Sequence, residues 1–184
     1  MTTRVVMRLL TMLAAALAVS TPAWAQQGSM AFTGAVLHLD GETSAAGFGL
    51  DVAGRVAKSA SGIELHVVGD VASNHFSAST DFDASTTTTF MAGVRFTGRA
   101  SPTTSVFAQF MAGAVTCCGA TDRAAAVGGG FDVRFPNTRA NFRLQVDVPV
   151  EYYPAGVDAD GVRYDAGSTA GFRLRIGVSI NLGR

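Results

Sequence analysis

Apolar and polar residues alternate with a period of two along most of this chain. The C-terminal stretch is clearest: Phe172, Leu174, Ile176, Val178, Ile180 and Leu182 alternate with Arg173, Arg175, Gly177, Ser179 and Asn181. Such alternation predicts a strand with one apolar and one polar face. Phe142, Leu144, Val146, Val148 and Val150 repeat it against Asn141, Arg143, Gln145, Asp147 and Glu151. Ile63, Leu65, Val67 and Val71 oppose Glu64, His66 and Asp70, and Phe90, Ala92, Val94 and Phe96 oppose Gly93, Arg95 and Thr97. Weaker versions set Phe48, Leu50, Val52 and Val56 against Asp51 and Arg55, Val106, Ala108 and Phe110 against Gln109, and Val127, Phe131 and Val133 against Asp132 and Arg134. Met30–Leu39 has the composition of a strand and an ambiguous phase. The pattern predicts eight strands, near 30–39, 46–57, 62–72, 87–99, 104–115, 123–134, 140–152 and 169–182.

The connections sort by length. Tight turns fall at Lys58-Ser59-Ala60-Ser61, Ala100-Ser101-Pro102-Thr103 and Phe135-Pro136-Asn137-Thr138. Between them lie mostly longer segments rich in Asp, Ser and Gly, at 40–45, 73–86, 116–122 and 153–168. All tight turns therefore sit at one end of the strands and all longer loops at the other. An up-and-down transmembrane barrel shows this asymmetry; a soluble sandwich has no reason to sort its loops.

The polar face decides what the apolar face meets. It carries Asp51, Arg55, Glu64, His66, Asp70, Arg95, Gln109, Asp132, Arg143, Asp147, Arg173 and Arg175, with both signs mixed. Arg and carboxylate suit fixed, bidentate contacts in a narrow space. The candidate interior salt-bridge network is Asp51, Arg55, Glu64, Asp70, Arg95, Asp132, Arg143, Asp147, Arg173 and Arg175. Turn positions predict Arg55 facing Glu64, Asp132 facing Arg143, and Asp147 near Arg173 or Arg175. A soluble barrel would reverse the arrangement, apolar inside and charged outside. It would also show a Gly-x-Trp signal on the first strand in a lipocalin-like fold, and the only Trp is Trp24.

The first residues read as an address. Arg4 and Arg8 precede an apolar run from Leu9 to Val19, then Pro22 and Ala23-Trp24-Ala25. This is the tripartite form of a cleaved secretory signal, and the run is too short for a membrane helix of about 20 residues. The expected division is a signal peptide over 1–25 and a single barrel domain over 26–184. No later stretch offers about 18 uninterrupted apolar residues. Hydrophobic residues make up 48% of the 184, so disorder is excluded. The 14 basic residues balance the 14 acidic ones, which excludes a polybasic nucleic-acid binder; removing Arg4 and Arg8 tips the balance to acid.

The chain from about Ala45 to Gly183 resembles small bacterial outer-membrane β-barrels of the OmpA/OmpX-like superfamily, the short "outer membrane protein β-barrel domain" proteins. Gly47-Phe48-Gly49-Leu50-Asp51-Val52-Ala53, Phe90-Met91-Ala92-Gly93-Val94-Arg95-Phe96 and Val106-Phe107-Ala108-Gln109-Phe110 carry the resemblance. Gly128-Gly129-Gly130-Phe131-Asp132-Val133 and Phe172-Arg173-Leu174-Arg175-Ile176-Gly177-Val178 complete it. It implies an all-β, eight-stranded antiparallel barrel in the bacterial outer membrane, with outer-membrane lipid and the barrel-assembly machinery as partners. Two departures stand out. The chain ends Leu182-Gly183-Arg184 where many members end in an aromatic residue, and any aromatic girdle rests on Phe with Tyr152, Tyr153 and Tyr164.

Candidate chemistry is sparse. His38, His66 and His75 all lie in the first half, and no motif links His38 to Ser79 and Asp81 in a catalytic arrangement. Asp158-Ala159-Asp160-Gly161 lacks the ligand spacing of a calcium loop. Asp40, Glu42, Asp81, Asp83, Asp122, Asp158, Asp160 and Asp165 make the loop end acidic. Gly128-Gly129-Gly130 has neither the Lys nor the helix of a phosphate loop and reads as a place of bending or close packing. Cys117 and Cys118 form the single cysteine pair, either a vicinal disulfide or two thiols. No catalytic residue, metal site or cofactor is expected.

These readings point to a monomeric outer-membrane barrel with a structural, adhesive or recognition role through its loops, its surface partner unidentified. Transport through a general pore is not expected, since eight strands leave a lumen that side chains fill. Interior glycines at 47, 49, 93, 113, 128, 130 and 177 leave room for a thread of water. The rivals are a soluble periplasmic or secreted ligand-binding barrel and an outer-membrane barrel enzyme acting on lipid.

Overall fold

The computed structural model describes residues 28–39, 43–77, 84–157 and 163–183. The expected signal peptide, Asp40, Glu42, Ser79, Asp81, Asp83 and the Asp158–Gly161 turn lie outside these residues. Eight long strands close into one antiparallel barrel: β1 (Gly28–Leu39), β2 (Thr43–Lys58), β3 (Glu64–Phe76), β4 (Ser85–Arg99), β5 (Thr104–Cys117), β6 (Ala120–Arg134), β7 (Ala140–Tyr153) and β10 (Gly167–Asn181). Each long strand pairs with its neighbours in sequence, and β1 closes on β10 with Phe32 opposite Val178 and Val36 opposite Leu174. Closure leaves no edge strand, so the backbone is satisfied by its own ladder, as a span through lipid requires.

The long strands run from 12 to 16 residues, beyond the roughly 9–11 that cross a hydrocarbon core. Most expected boundaries lie within three residues of the observed ones. The longest loops are correspondingly shorter than expected, since β3 continues to Phe76 and β4 begins at Ser85. One element was not expected: Gly156–Val157 (β8) and Arg163–Tyr164 (β9) form a small ribbon between β7 and β10.

The tight turns have local causes. Ser59 Oγ accepts the Ile63 amide at 3.0 Å while the Ser59 amide donates to the Ile63 carbonyl at 2.8 Å, and Gly62 takes a left-handed φ of 88°. Ser101 Oγ accepts the Thr104 amide at 3.0 Å, and Asn137 adopts φ 58° in the third turn. Asn tolerates this region better than most side chains. At the same end the Leu182 amide donates to the Gly28 carbonyl at 2.8 Å, tying the two ends of the barrel strands together.

Polarity across the wall is inverted relative to a soluble protein. Phe48 is 70% exposed, and Phe32, Val36, Val67, Phe90, Phe110, Phe172 and Ile176 are also exposed on the outer face. Arg143, Arg173, Arg175, Gln109, Gln145, Asp51 and Asp147 are among the largest fully buried side chains. The ambiguous phase of the first strand resolves here: Ala31, Thr33, Ala35 and Leu37 face inward, while Phe32, Val36 and polar His38 face outward. A smaller apolar cluster of Ala53, Val68, Met91, Met111, Val115, Ala124 and Ala126 is also buried, drawn from β2 to β6.

Candidate functional site

The lumen concentrates the charged side chains. Each points inward because it holds the parity opposite to the exposed apolar residues on its strand. Asp51 alternates with Leu50 and Val52 on β2, and Arg173 and Arg175 alternate with Phe172, Leu174 and Ile176 on β10.

These groups join into one connected network. Asp51 accepts hydrogen bonds from Arg95 Nη1 at 3.1 Å and from Arg143 Nη1 at 2.7 Å. The same Arg143 clasps Asp132 bidentately, Nε and Nη2 each at 2.8 Å. Arg95 Nη2 donates to Gln109 Oε1 at 2.7 Å, and Gln109 Nε2 donates to Asp147 at 3.1 Å. Asp147 also accepts from Gln145 at 2.9 Å and from Arg173 Nη2 at 3.2 Å. Arg173 Nη2 lies 3.9 Å from Asp70, which Arg175 clasps with both terminal nitrogens. Ser179 and Asn141 extend the chain from Asp132, with hydrogen bonds of 3.0 Å each. Four arginines and four aspartates thus balance inside the wall. Balance matters because an uncompensated buried ion costs several kcal/mol.

Hairpin register supplies part of this network. Asp132 pairs with Arg143 across β6 and β7, and Asp147 with Arg173 across β7 and β10. The expected facing of Arg55 and Glu64 needs correction. An irregularity between Arg55 and Ala57 puts His66 opposite Arg55 and Lys58 opposite Glu64. Arg55 still reaches Glu64 diagonally at 2.7 Å, and Lys58 joins at 3.2 Å, forming a separate cluster at the short-turn rim.

Phe107 is the residue the alternation left unremarked. It faces the lumen, and the guanidinium carbons of Arg95 and Arg143 lie 4.5 and 5.0 Å from its ring centroid. A cation over an aromatic face gains about 0.5–2 kcal/mol. Its parity was the available signal, since it alternates with Val106, Ala108 and Phe110 rather than matching them.

Some of the interior glycines make room for side chains, while Gly93, Gly113 and Gly177 lie close against the backbone of a neighbouring strand. A Cβ at Gly49 would collide with Arg175 Nη2, and one at Gly128 would collide with Asp147 Oδ1. At Gly130 it would press on Leu144 O and on the Phe107 ring. Gly128 and Gly130 form a recess for the network.

Beyond the network, chemistry stays thin among the described residues. His38 Nδ1 lies 3.0 Å from Ser44 Oγ, and His75 Nδ1 lies 3.1 Å from Thr86 Oγ1. Both are directly opposed cross-strand pairs on exposed positions, so strand pairing explains them without nucleophile activation. Among the described residues no group of three or more His, Cys, Asp or Glu could hold a metal ion. Cys117 and Cys118 are free thiols at the β5–β6 turn, where Cys118 has φ 55°.

No protein-family model and no curated protein sequence matches the chain. Solved structures do match. Neisserial surface protein A superposes with a TM-score of 0.49 at 13% identity, covering 83% of this chain and 94% of that one. The attachment invasion locus protein Ail of Yersinia pestis gives 0.41 at 17% identity, covering 84% and 97%. A de novo designed transmembrane β-barrel gives 0.43 at 12% identity, covering 84% and 95%.

Proposed function

We propose that the protein is a monomeric barrel of the bacterial outer membrane, of the OmpA/OmpX-like kind, acting through its long loops in a structural, adhesive or recognition role. The observation that carries this reading is the inverted wall. Exposed Phe48, Phe32 and Phe110 surround buried Arg143, Arg173 and Arg175. In water such an exterior would be an aggregation surface far larger than ordinary exposed patches. In lipid it is the favourable face. Sorting of the turns sets the orientation, with short turns and both ends of the barrel toward the periplasm and the long loops outward. The 1–25 leader supplies export, and the assembly machinery supplies insertion.

Loop-based action follows from a filled lumen. Arg143 spans from Asp132 to Asp51 and Arg173 from Asp147 toward Asp70, so the charged groups bridge the interior. That supports neither a general pore nor catalysis inside the barrel.

Fractionation tests the reading. After sodium carbonate washing, the protein should stay with the outer membrane, and a membrane-impermeant maleimide should label Cys118 on intact reduced cells. Release with the periplasm would favour the soluble rival. Labelling only after cell lysis would reverse the orientation.

A further inference from the structure

The short-turn end of the lumen opens into a cavity of about 470 Å³. Arg95 and Arg143 form its floor, and Arg55, Lys58, Arg99 and Arg134 stand around it. The acidic side chains in its lining are Glu64 and Asp132. Both are already engaged, Glu64 by Arg55 and Lys58, Asp132 by Arg143. Asp51 beneath the floor is shared by Arg95 and Arg143. Arg99 and Arg134 have no ion-pair partner among the described residues.

The unpaired pair is well placed. Arg99 ends β4 and Arg134 ends β6, on the two strands that flank β5, and both carry the inward parity of Arg95 and Asp132. Hydroxyls of Ser101, Thr103 and Ser105 line the wall between them. His66 lies on the same lining, its Nε2 3.5 Å from Glu64 Oε2. The cavity is thus rich in donors and short of free acceptors. A concave site whose lining carries an excess of one sign of charge, with low-dielectric walls, concentrates counter-ions.

We infer that this cavity binds a soluble, multivalent oxyanion bearing phosphate or carboxylate groups, held chiefly by Arg99 and Arg134. Guanidinium forks match such groups bidentately. The volume falls within the roughly 300–1,000 Å³ of small-ligand sites and exceeds what a single orthophosphate fills. Turn residues Gly62, Ser101 and Pro102, with Gly28 and Gly183, ring the mouth, so it opens along the barrel axis toward water rather than sideways into acyl chains. Arg99 and Arg134 are themselves exposed, so binding is sensitive to salt. That the ligand arrives from the periplasm rests on the orientation proposed above; binding itself requires only the folded barrel.

Calorimetric titration of the detergent-purified barrel with tripolyphosphate at low ionic strength tests this, with citrate as the carboxylate probe and orthophosphate as the small reference. Wild type and R123A, altered on the outer face at the opposite end, should bind one or both multivalent probes alike, and orthophosphate more weakly. R99A/R134A should bind at least tenfold more weakly, while R99K/R134K retains part of the affinity. Heat-modifiable gel mobility establishes that each variant is folded, and single R99Q and R134Q variants replace the double one if it is not. Absence of binding by folded wild type, or equal affinity in wild type and R99A/R134A, would overturn the site. Neither result bears on membrane location, which the carbonate wash reads separately.

Discussion

Arg143 and Asp51 stand 92 positions apart in the chain and meet in the lumen, Nη1 to Oδ2, at 2.7 Å. The same guanidinium holds Asp132 on the adjacent strand. One side chain therefore fastens a local hairpin to the far side of the barrel. Through Asp51 it is also coupled to Arg95, and both arginines sit over Phe107.

Removing Asp51 should expose that dependence. D51A leaves Arg95 and part of Arg143 buried without a counter-charge, so it should destabilise the barrel by about 3–5 kcal/mol in a urea titration in lipid vesicles. D51A/R95M should recover a substantial part of the loss. Equal stability of D51A and wild type would mean that the network does not support the fold.

Glycine positions divide by what a side chain would meet. G49V and G128V push methyl groups into Arg175 and Asp147, and each should cost about 1–3 kcal/mol or block assembly. Gly69 and Gly98 have open space around them, so G69A and G98A should shift stability by no more than about 0.5 kcal/mol. The folded gel-mobility band and its unfolding midpoint distinguish the two groups.

Much of this architecture can be read from the chain, for identifiable reasons. Strands such as 169–182 are visible because lipid outside and charge inside impose opposite chemistry on successive residues. The first strand is obscure because its inner residues, Ala31, Ala35 and Leu37, are as apolar as its outer ones. The β8–β9 ribbon has two residues per strand, too few to show a period. Within the site, Asp132–Arg143 and Asp147–Arg173 follow from hairpin register. Asp51–Arg143 and Asp70–Arg175 do not, because cross-lumen pairing depends on how the closed barrel brings distant strands together. The role of Gly49 and Gly128 is likewise invisible until the side chains that occupy their space are placed.

An arginine on the outer face should be costly in lipid. V146R, I176R and V178R should each lose about 2–4 kcal/mol near mid-depth. The cost should fall for the same change nearer either rim, such as L182R. A cost independent of depth would indicate that the apolar face does not meet a bilayer.

Conductance should be absent or small. With Arg143, Arg173 and Arg175 bridging the lumen, planar-bilayer recordings of the purified monomer should show no stable nanosiemens steps. Such steps from folded wild type would contradict a closed interior.

The most direct measurement compares two aromatic positions three residues apart on one strand. Phe110 is exposed on the outer face and Phe107 is buried in the lumen. Without residues 1–25 the chain contains no Trp, so F107W and F110W each provide a single fluorophore. In vesicles containing brominated phospholipid, F110W fluorescence should be strongly quenched and F107W largely protected. Equal quenching at both positions, or none at either, would contradict a charged lumen enclosed by a lipid-facing apolar wall.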